Sequence, residues 1–316
     1  TRSWAGSEAN VAVALAAMGF DTRFSTRIPN TMLGDACVKD LRSRGVSIGR
    51  EDRSSGRFGT FYLERGAMFR APVVLYDREY SAIAISEPSS YDWKTILKDA
   101  DWFHVSGITP ALSGKTRMSV VDAVSYASEN NIPVSIDLNY RRLLWESPKE
   151  ARKVIAEILP HCNIVIGNEE DFSIMVTGEE NRIGGTVSEQ SSGFAKTAES
   201  VFRMYPQIKT LYSSVRIAHS VEHNSWSGVS VDEEGTVLIA VTRELRDIVD
   251  RIGAGDAFAA GVIAGNLLGV EASEVLEIGT AMGALAHSFN GDFLNVSWDE
   301  IRSAMKTGNL GGRIKR

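Results

Sequence analysis

An α/β fold with a mostly parallel central sheet and a small inserted β layer is the architecture the sequence predicts, on three observations. From Asp101 onward, short apolar strands alternate with helix-length runs, as in parallel strands joined by crossover helices. Over residues 57–85 the character changes to aromatic and β-branched segments, GTFYLE and PVVLYDREYSAIA, which read as a hairpin with Gly66 between its strands. At 249–265, VDRIGAGDAFAAGVIAG, a glycine loop runs straight into an alanine-rich buried helix.

The elements follow in order. Residues 8–18 form a helix of small apolar residues closed by Gly19, and 22–27 read as a strand. Leu33-Gly34-Asp35 turns into a helix through Arg44. The inserted hairpin over 57–85 is a candidate lid, because Tyr62, Tyr76 and Arg78 are interspersed with its apolar positions; the plainer reading is an edge hairpin. Then come strand DWFHVSG and helix 113–129, strand IPVSIDLN and helix 148–159, and strand NIVIGN with a helix opening at Glu169. The patch at 184–193 is rich in Gly and Ser and reads as a surface loop; a helix over 193–205 leads into strand IKTLYSS. After the glycine loop, helices cover 273–289 and 298–306, and the tail GGRIKR is expected to fray.

Composition bounds the function. The chain has 316 residues, 43% apolar and 23% charged, an ordinary globular balance for one large α/β domain or two smaller ones. A net charge of −6 argues against nucleic acid as partner. Cys37 and Cys162 fit no metal spacing and read as buried free thiols in a reducing compartment. No apolar run reaches the length of a membrane span and no signal peptide is visible, so a cytoplasmic protein is expected. The chain starts close to its first helix, and an α/β protein usually opens on a strand, so a leading strand is expected to be missing.

Chemistry concentrates at Gly253, Ala254, Gly255 and Asp256. A bare backbone entering a helix N-terminus presents unpaired N–H groups and the positive end of the dipole, which suits an anion. Asp256 there is either a cap or a base. An anion cradle beside a base is what phosphoryl transfer needs. A dinucleotide fingerprint is excluded because Phe258 stands at its third glycine, and a Walker A loop because Asp256-Ala257 replaces GK[ST]. Ser113-Gly114-Lys115-Thr116 lacks the upstream P-loop glycine, since residue 109 is Thr109, and reads as a helix start. His219-Ser-Val-Glu222-His223 spells HxxEH, but without a long helix the inverted zinc-protease geometry is not expected. His104, in mid-strand, reads as a core histidine.

Ligands of an open α/β sheet sit at the strands' C-terminal ends. Ser106, Asp137, Asn139, Asn168 and Ser213 lie at such ends and form one rim. Arg141 joins that rim and Arg78 comes from the lid. Two converging guanidinia suit a planar carboxylate, whereas for either alone pairing with a surface acid is the preferred reading.

GAGDAFAAG resembles the C-terminal signature of the ribokinase (PfkB) family of carbohydrate kinases. AGSEAN resembles its N-terminal GGxxxN signature, with Ala5 at the first glycine. FYLERGA, VLYDREYSAIA, WFHVSGITPALS, DLNYRRLLW, IGNEEDF, HNSWSGV and Gly291-Asp292-Phe293 are similar to the 2-keto-3-deoxygluconate kinases of that family, in the expected order along nearly the whole chain. The resemblance implies a ribokinase-like three-layer fold, one domain over 1–316 with a β-sheet lid, whose usual first strand has no counterpart here. It implies ATP and Mg²⁺ as cofactors and a small-molecule sugar acid as substrate, with copies pairing through the lid as a homo-oligomer. Asp256 would be the catalytic base and Gly253, Ala254 and Gly255 the anion hole. Gly6, Asn10, Tyr62, Tyr76, Arg78 and Arg141 would hold the substrate, with Asn139 beside them. Asn168 and Asp171 match the family's NxxE element, which arranges Mg²⁺ and its waters; Asp171 stands where the family has Glu. Ser213 and Arg216 would lie on the nucleotide side, with Gly255 and the Gly291 turn. A kinase of neutral sugars such as fructose or ribose, and a catalytically silent sugar-binding regulator, are the alternatives.

Overall fold

The computed structural model describes residues 3–49, 53–64, 66, 70, 73–178 and 185–306. Small apolar side chains make helix α1 (Ser7–Ala17) buried on nearly every side. The strand expected over 22–27 is instead two short pieces, β1 (Thr22–Arg23) and β2 (Ile28–Pro29). Buried Arg27 holds the bend between them, donating to Thr26 O at 2.8 Å and Ser90 Oγ at 3.2 Å. Helix α2 (Met32–Ser43) is followed by β3 (Val46–Ser47), parallel to β1, and β4 (Arg53–Ser54), parallel to β2. The inserted hairpin is an antiparallel ribbon of β5 (Thr60–Glu64) and β6 (Val73–Asp77). It is shorter than expected. Residues 82–85 turn into helix α3 (Ala82–Ile85), with Ala82 N–H donating to Arg57 O at 2.8 Å, and α4 (Trp93–Ile96) follows.

The alternating half of the chain runs β7 (Phe103–Ser106), α5 (Gly114–Glu129), β8 (Val134–Asp137), α6 (Pro148–Ile158), β9 (Ile164–Gly167), α7 (Glu169–Phe172), α8 (Val187–Met204) and β10 (Thr210–Ala218). Ser113 caps α5 through a capping box with Thr116, the helix start expected of SGKT. The loop expected over 184–193 is largely helix: α8 begins at Val187, because Thr186 and Glu189 form a capping box whose spacing the Gly/Ser content hid. The chain continues through β11 (His223–Asp232), β12 (Val237–Ile239) and β13 (Arg243–Arg246) to α9 (Ala254–Leu268), α10 (Ala272–Ala286) and α11 (Trp298–Lys306). The tail GGRIKR lies outside the described residues.

Among the described residues, seven strands form one sheet in the order β12-β11-β10-β9-β8-β7, with β13 also on β11. Pairs from β7 to β10 are parallel, whereas β10–β11, β11–β12 and β11–β13 are antiparallel. The sheet is therefore mixed rather than mostly parallel, since the tight turn after Ala218 can join only antiparallel neighbours. Alternate strand residues feed opposite layers. Ile164, Ile166 and Tyr212 pack with α1, α9 and α10, and Val165, Leu211 and Val215 with α5, α6 and α8. Helix, sheet and helix make three layers.

Two features position the site. Register aligns the parallel strands' C-terminal ends: Ser106 pairs with Asp137, Asp137 with Ile166, and Gly167 with Ser213. Helices α9 and α10 meet through glycine, where a Cβ on Gly261 would come 2.6 Å from Gly279 Cα. That close contact seats α9 deep enough for its N-terminus to reach the strand ends.

Candidate active site

Helices α1 and α9 both point their N-termini into a cavity of about 540 Å³ at those strand ends. Gly253 opens α9 in the left-handed region, φ 77°, where a side chain is strained; a Cβ there would also lie 2.7 Å from Asp292 O. The N–H groups of Ala254, Gly255 and Asp256, at the first three helical positions, have no partner within the helix and line the cavity with the positive end of the dipole. Asp256 is buried and held by its neighbours. Ser7 Oγ donates to its Oδ1 and Asn10 Nδ2 to its Oδ2, each at 2.6 Å. Ser7 and Asn10 are three apart on α1 and so share a face. Asn139 Nδ2 donates to Ser7 Oγ at 3.0 Å and reaches Asp256 Oδ1 at 3.4 Å. Asn139 has φ 41°, a conformation asparagine tolerates, and its N–H donates to Asp137 Oδ1 at 3.1 Å.

Six carboxyl groups line this cavity, and burial is the first cause of the shifts at Asp137, Asp171, Asp256 and Asp292. It holds Asp256 above the ordinary carboxyl range, against the lowering hydrogen bonds of Ser7 and Asn10. It raises Asp137 well above that range, helped by the charges of Asp256 and Asp171. It brings Asp171 to about 6 and Asp292, with help from Asp256, to about 7. A carboxyl raised on folding favours the native state most at pH values where it stays protonated. That contribution is whole below the unfolded value of 3.8 and is lost as pH rises through about 7 for Asp292. Asp292→Asn is therefore expected to raise the melting temperature at pH 8 and leave it unchanged at pH 4. The gain is bounded at about 4 kcal/mol, the equivalent of moving a carboxyl from 3.8 to about 7. Equal shifts at both pH values in thermal melts would contradict this account.

The remaining expected residues divide. Gly6, Asn10, Tyr76, Arg78, Asn139, Arg141, Asn168, Asp171, Gly253, Ala254, Gly255 and Asp256 all line the cavity. Arg78 lies against Tyr76, its Cζ 4.7 Å from the ring centroid; burial lowers its pKa, Tyr76 and Glu8 oppose that shift, and the like charge of Arg141 adds to it. Tyr62 does not line the cavity. It is 60% exposed on the lid's outer face with Val73 and Leu75, while Phe61, Leu63, Val74 and Tyr76 face inward. Ser213 is buried behind the rim, and the neighbouring Ser214 takes the lining position. Arg216, two residues on, is exposed and influences His287 and Arg251 by its charge. Gly291 is outside the cavity wall; its N–H approaches Asp250 Oδ2 at 3.4 Å, and Asp292 beside it lines the cavity. His287, which closes α10, is buried against Trp226, with Nδ1 2.8 Å from Gly283 O. Sequence reasoning missed Ser7, Phe61, Ser214, Asp292 and Arg251 as lining residues. Arg251 donates to Ser220 O at 2.7 Å and to Val221 O, which fixes a cation at one end of the cavity.

Both cysteines are buried and free. His104 bonds Ser135 Oγ through Nδ1 at 2.8 Å, and burial brings its pKa to about 4, as for a neutral core histidine. No described helix is long and apolar enough to cross a membrane.

Asn168 and Asp171 also have a structural task as the capping box of α7. Asp171 N–H donates to Asn168 Oδ1 at 3.0 Å and Asn168 N–H to Asp171 Oδ2 at 3.2 Å. Asp171 Oδ1 accepts from Tyr140 N–H at 3.2 Å. This all-oxygen donor pair at the cavity wall fits Mg²⁺, and because both carboxylate oxygens already hold main-chain N–H groups it fits contact through water.

The chain matches the pfkB family of carbohydrate kinases over residues 1–293. It belongs to that family. PfkB kinases use ATP, and this carbohydrate kinase sets a helix N-terminus with unpaired N–H groups beside a buried Asp256 in one cavity. Its likeness to a crystal structure of 2-dehydro-3-deoxygluconokinase from Thermotoga maritima is 38% in sequence, with a TM-score of 0.89, covering 96% of this chain and 91% of that one. The kinase is 29% identical over 307 residues to a 2-dehydro-3-deoxygalactonokinase of Haloferax volcanii, covering 97% of this chain and 89% of the relative. It is 27% identical over 293 residues to a 2-dehydro-3-deoxygluconokinase of Bacillus subtilis, covering 92% and 83%.

Proposed function

We propose that this kinase transfers the γ-phosphoryl group of ATP to the terminal hydroxyl of a 2-keto-3-deoxy sugar acid, such as 2-keto-3-deoxygluconate. The observation that carries the reading is that Arg78 and Arg141 line the same cavity as Asp256. Two guanidinia match a carboxylate, and a neutral sugar has less use for them. The names of the relatives point the same way.

In this mechanism the acid end of the substrate lies against Arg78 and Arg141, and its terminal hydroxyl lies at Asp256. Asp256 accepts the hydroxyl proton as the oxygen bonds to the γ-phosphorus and the bond to the β-phosphate oxygen breaks, releasing ADP. Burial raises the carboxyl's pKa and so strengthens its carboxylate as a base, while Ser7 and Asn10 hold it in place. N–H groups of Ala254, Gly255 and Asp256 receive the charge on the transferred group. Mg²⁺, held through water by Asn168 and Asp171, would neutralise phosphate charge. The lid's inner face of Phe61, Leu63, Val74 and Tyr76 would exclude water as a competing acceptor.

Assaying ATP turnover with 2-keto-3-deoxygluconate, 2-keto-3-deoxygalactonate, fructose and ribose tests the reading; preference for a neutral sugar would overturn it. Arg78→Met and Arg141→Met are each expected to raise KM for the sugar acid about 10- to 100-fold, from a lost charged hydrogen bond of about 1.5–3 kcal/mol. An unchanged KM in both variants would remove the carboxylate from this end of the cavity.

A further inference from the structure

We propose that His219, His223 and Glu244 form a binding site for a divalent transition-metal ion of the zinc class, on the turn that joins β10 to β11. The two histidines belong to the HxxEH segment, whose spacing serves a metal on a helix. Here a hairpin brings them together instead. His219 and Ser220 N–H groups both donate to His223 O at 3.0 Å, and the closed turn sets the two imidazole centroids 4.6 Å apart. The third ligand comes from β13. Ser225 pairs with Glu244 across the sheet, and His223, two residues before Ser225, projects from the same face.

The three side chains already touch one another's partners. His223 Nε2 lies 2.7 Å from Glu244 Oε2, His219 Nε2 lies 2.7 Å from Ser225 Oγ, and Ser225 Oγ donates to Glu244 Oε1 at 2.6 Å. One ligand atom from each lies within 4.8 Å of the other two, a spacing this group meets among the described residues. Tetrahedral coordination at about 2.0–2.2 Å sets donor atoms about 3.3 Å apart. His223 and Glu244 reach that by opening slightly, and His219 by swinging inward, movements that half-buried and exposed side chains allow. Ser225 stays hydrogen-bonded to Glu244 and orients it. Two imidazoles and one carboxylate, with a coordination position left to solvent, suit zinc, cobalt or nickel rather than hard Mg²⁺.

The site is separate from the reacting groups but is tied to the cavity. Val221 and Glu222, between the two histidines, line its end, and Arg251 donates to the carbonyls of Ser220 and Val221. A bound ion therefore clamps that turn to β13.

The test is a Co²⁺ titration of the full chain with Mg²⁺ in excess, followed by visible absorption. One equivalent is expected to give the intense bands of tetrahedral Co²⁺, displaced by Zn²⁺. His223→Ala and Glu244→Gln should each weaken that binding by at least ~10-fold, about 1.4 kcal/mol. Zn²⁺ should raise the melting temperature of the parent chain and not of the variants. Absence of tetrahedral bands in the parent, or equal affinity in Glu244→Gln, whose shape is conserved and whose folding is least disturbed, overturns the site.

Discussion

Asp256→Asn is expected to lower kcat by at least ~10²-fold, the lower end for loss of a general base, while KM for the sugar acid changes little. The side chain keeps its shape, so the cavity is preserved. Its new amide can keep Asn10 as donor to its oxygen and turn its NH₂ towards Ser7, whose hydroxyl rotates to accept. What disappears is the site for the substrate's proton. The same exchange removes a buried carboxyl held above its ordinary range, so the variant should melt no lower than the parent at pH 8. A second signature separates lost chemistry from a disturbed fold. The parent's kcat should fall on acidification as Asp256 takes up a proton, and that limb should vanish in the variant. Steady-state rates across pH, read beside thermal melts, decide the matter. Full turnover in the variant would take Asp256 out of the reaction.

The legible and illegible parts of the site differ by a physical rule. Elements were readable wherever hydrophobic period and caps agreed, as in α5, where Ser113 and Thr116 close a capping box. The rim was readable because parallel strands end together, and Ser106, Asp137 and Gly167 do so by register. Tyr62 and Ser213 were each misplaced by one residue, and for one reason. Strand side chains alternate between faces, so an assignment that slips by one lands on the wrong side. Phe61 and Ser214 are the inward partners. A second group was hidden by distance along the chain. Asp292 joins the site because Gly253 passes within van der Waals reach of its backbone, and Ser7 because α1 and α9 converge. Glu244 lies 21 residues beyond His223, and only the pairing of β11 with β13 brings them together.

Gly255→Val should abolish most turnover without weakening the fold, the reverse of what a glycine within a helix usually suggests. A Cβ on Gly255 meets no atom within 4 Å, and the residue is exposed to the cavity. Side chains of a helix tilt towards its N-terminus, so the added methyl groups would project into the space proposed for the γ-phosphoryl group. Replacing glycine inside a helix also removes a propensity cost of a few tenths of a kcal/mol. The variant is therefore expected to melt at the parent's temperature or above, with kcat/KM for ATP reduced ~10²- to 10³-fold, the range for disabling an anion-hole donor. Gly253→Ala makes the contrast. There φ is 77° and the added Cβ would meet Asp292 O at 2.7 Å, so stability should fall by about 1–2 kcal/mol from the left-handed backbone alone. One glycine serves the fold and the next serves the anion. If Gly255→Val turned over ATP at the parent's rate, the phosphate would have to bind elsewhere than the N-terminus of α9, and Asp256 would have no acceptor chemistry beside it.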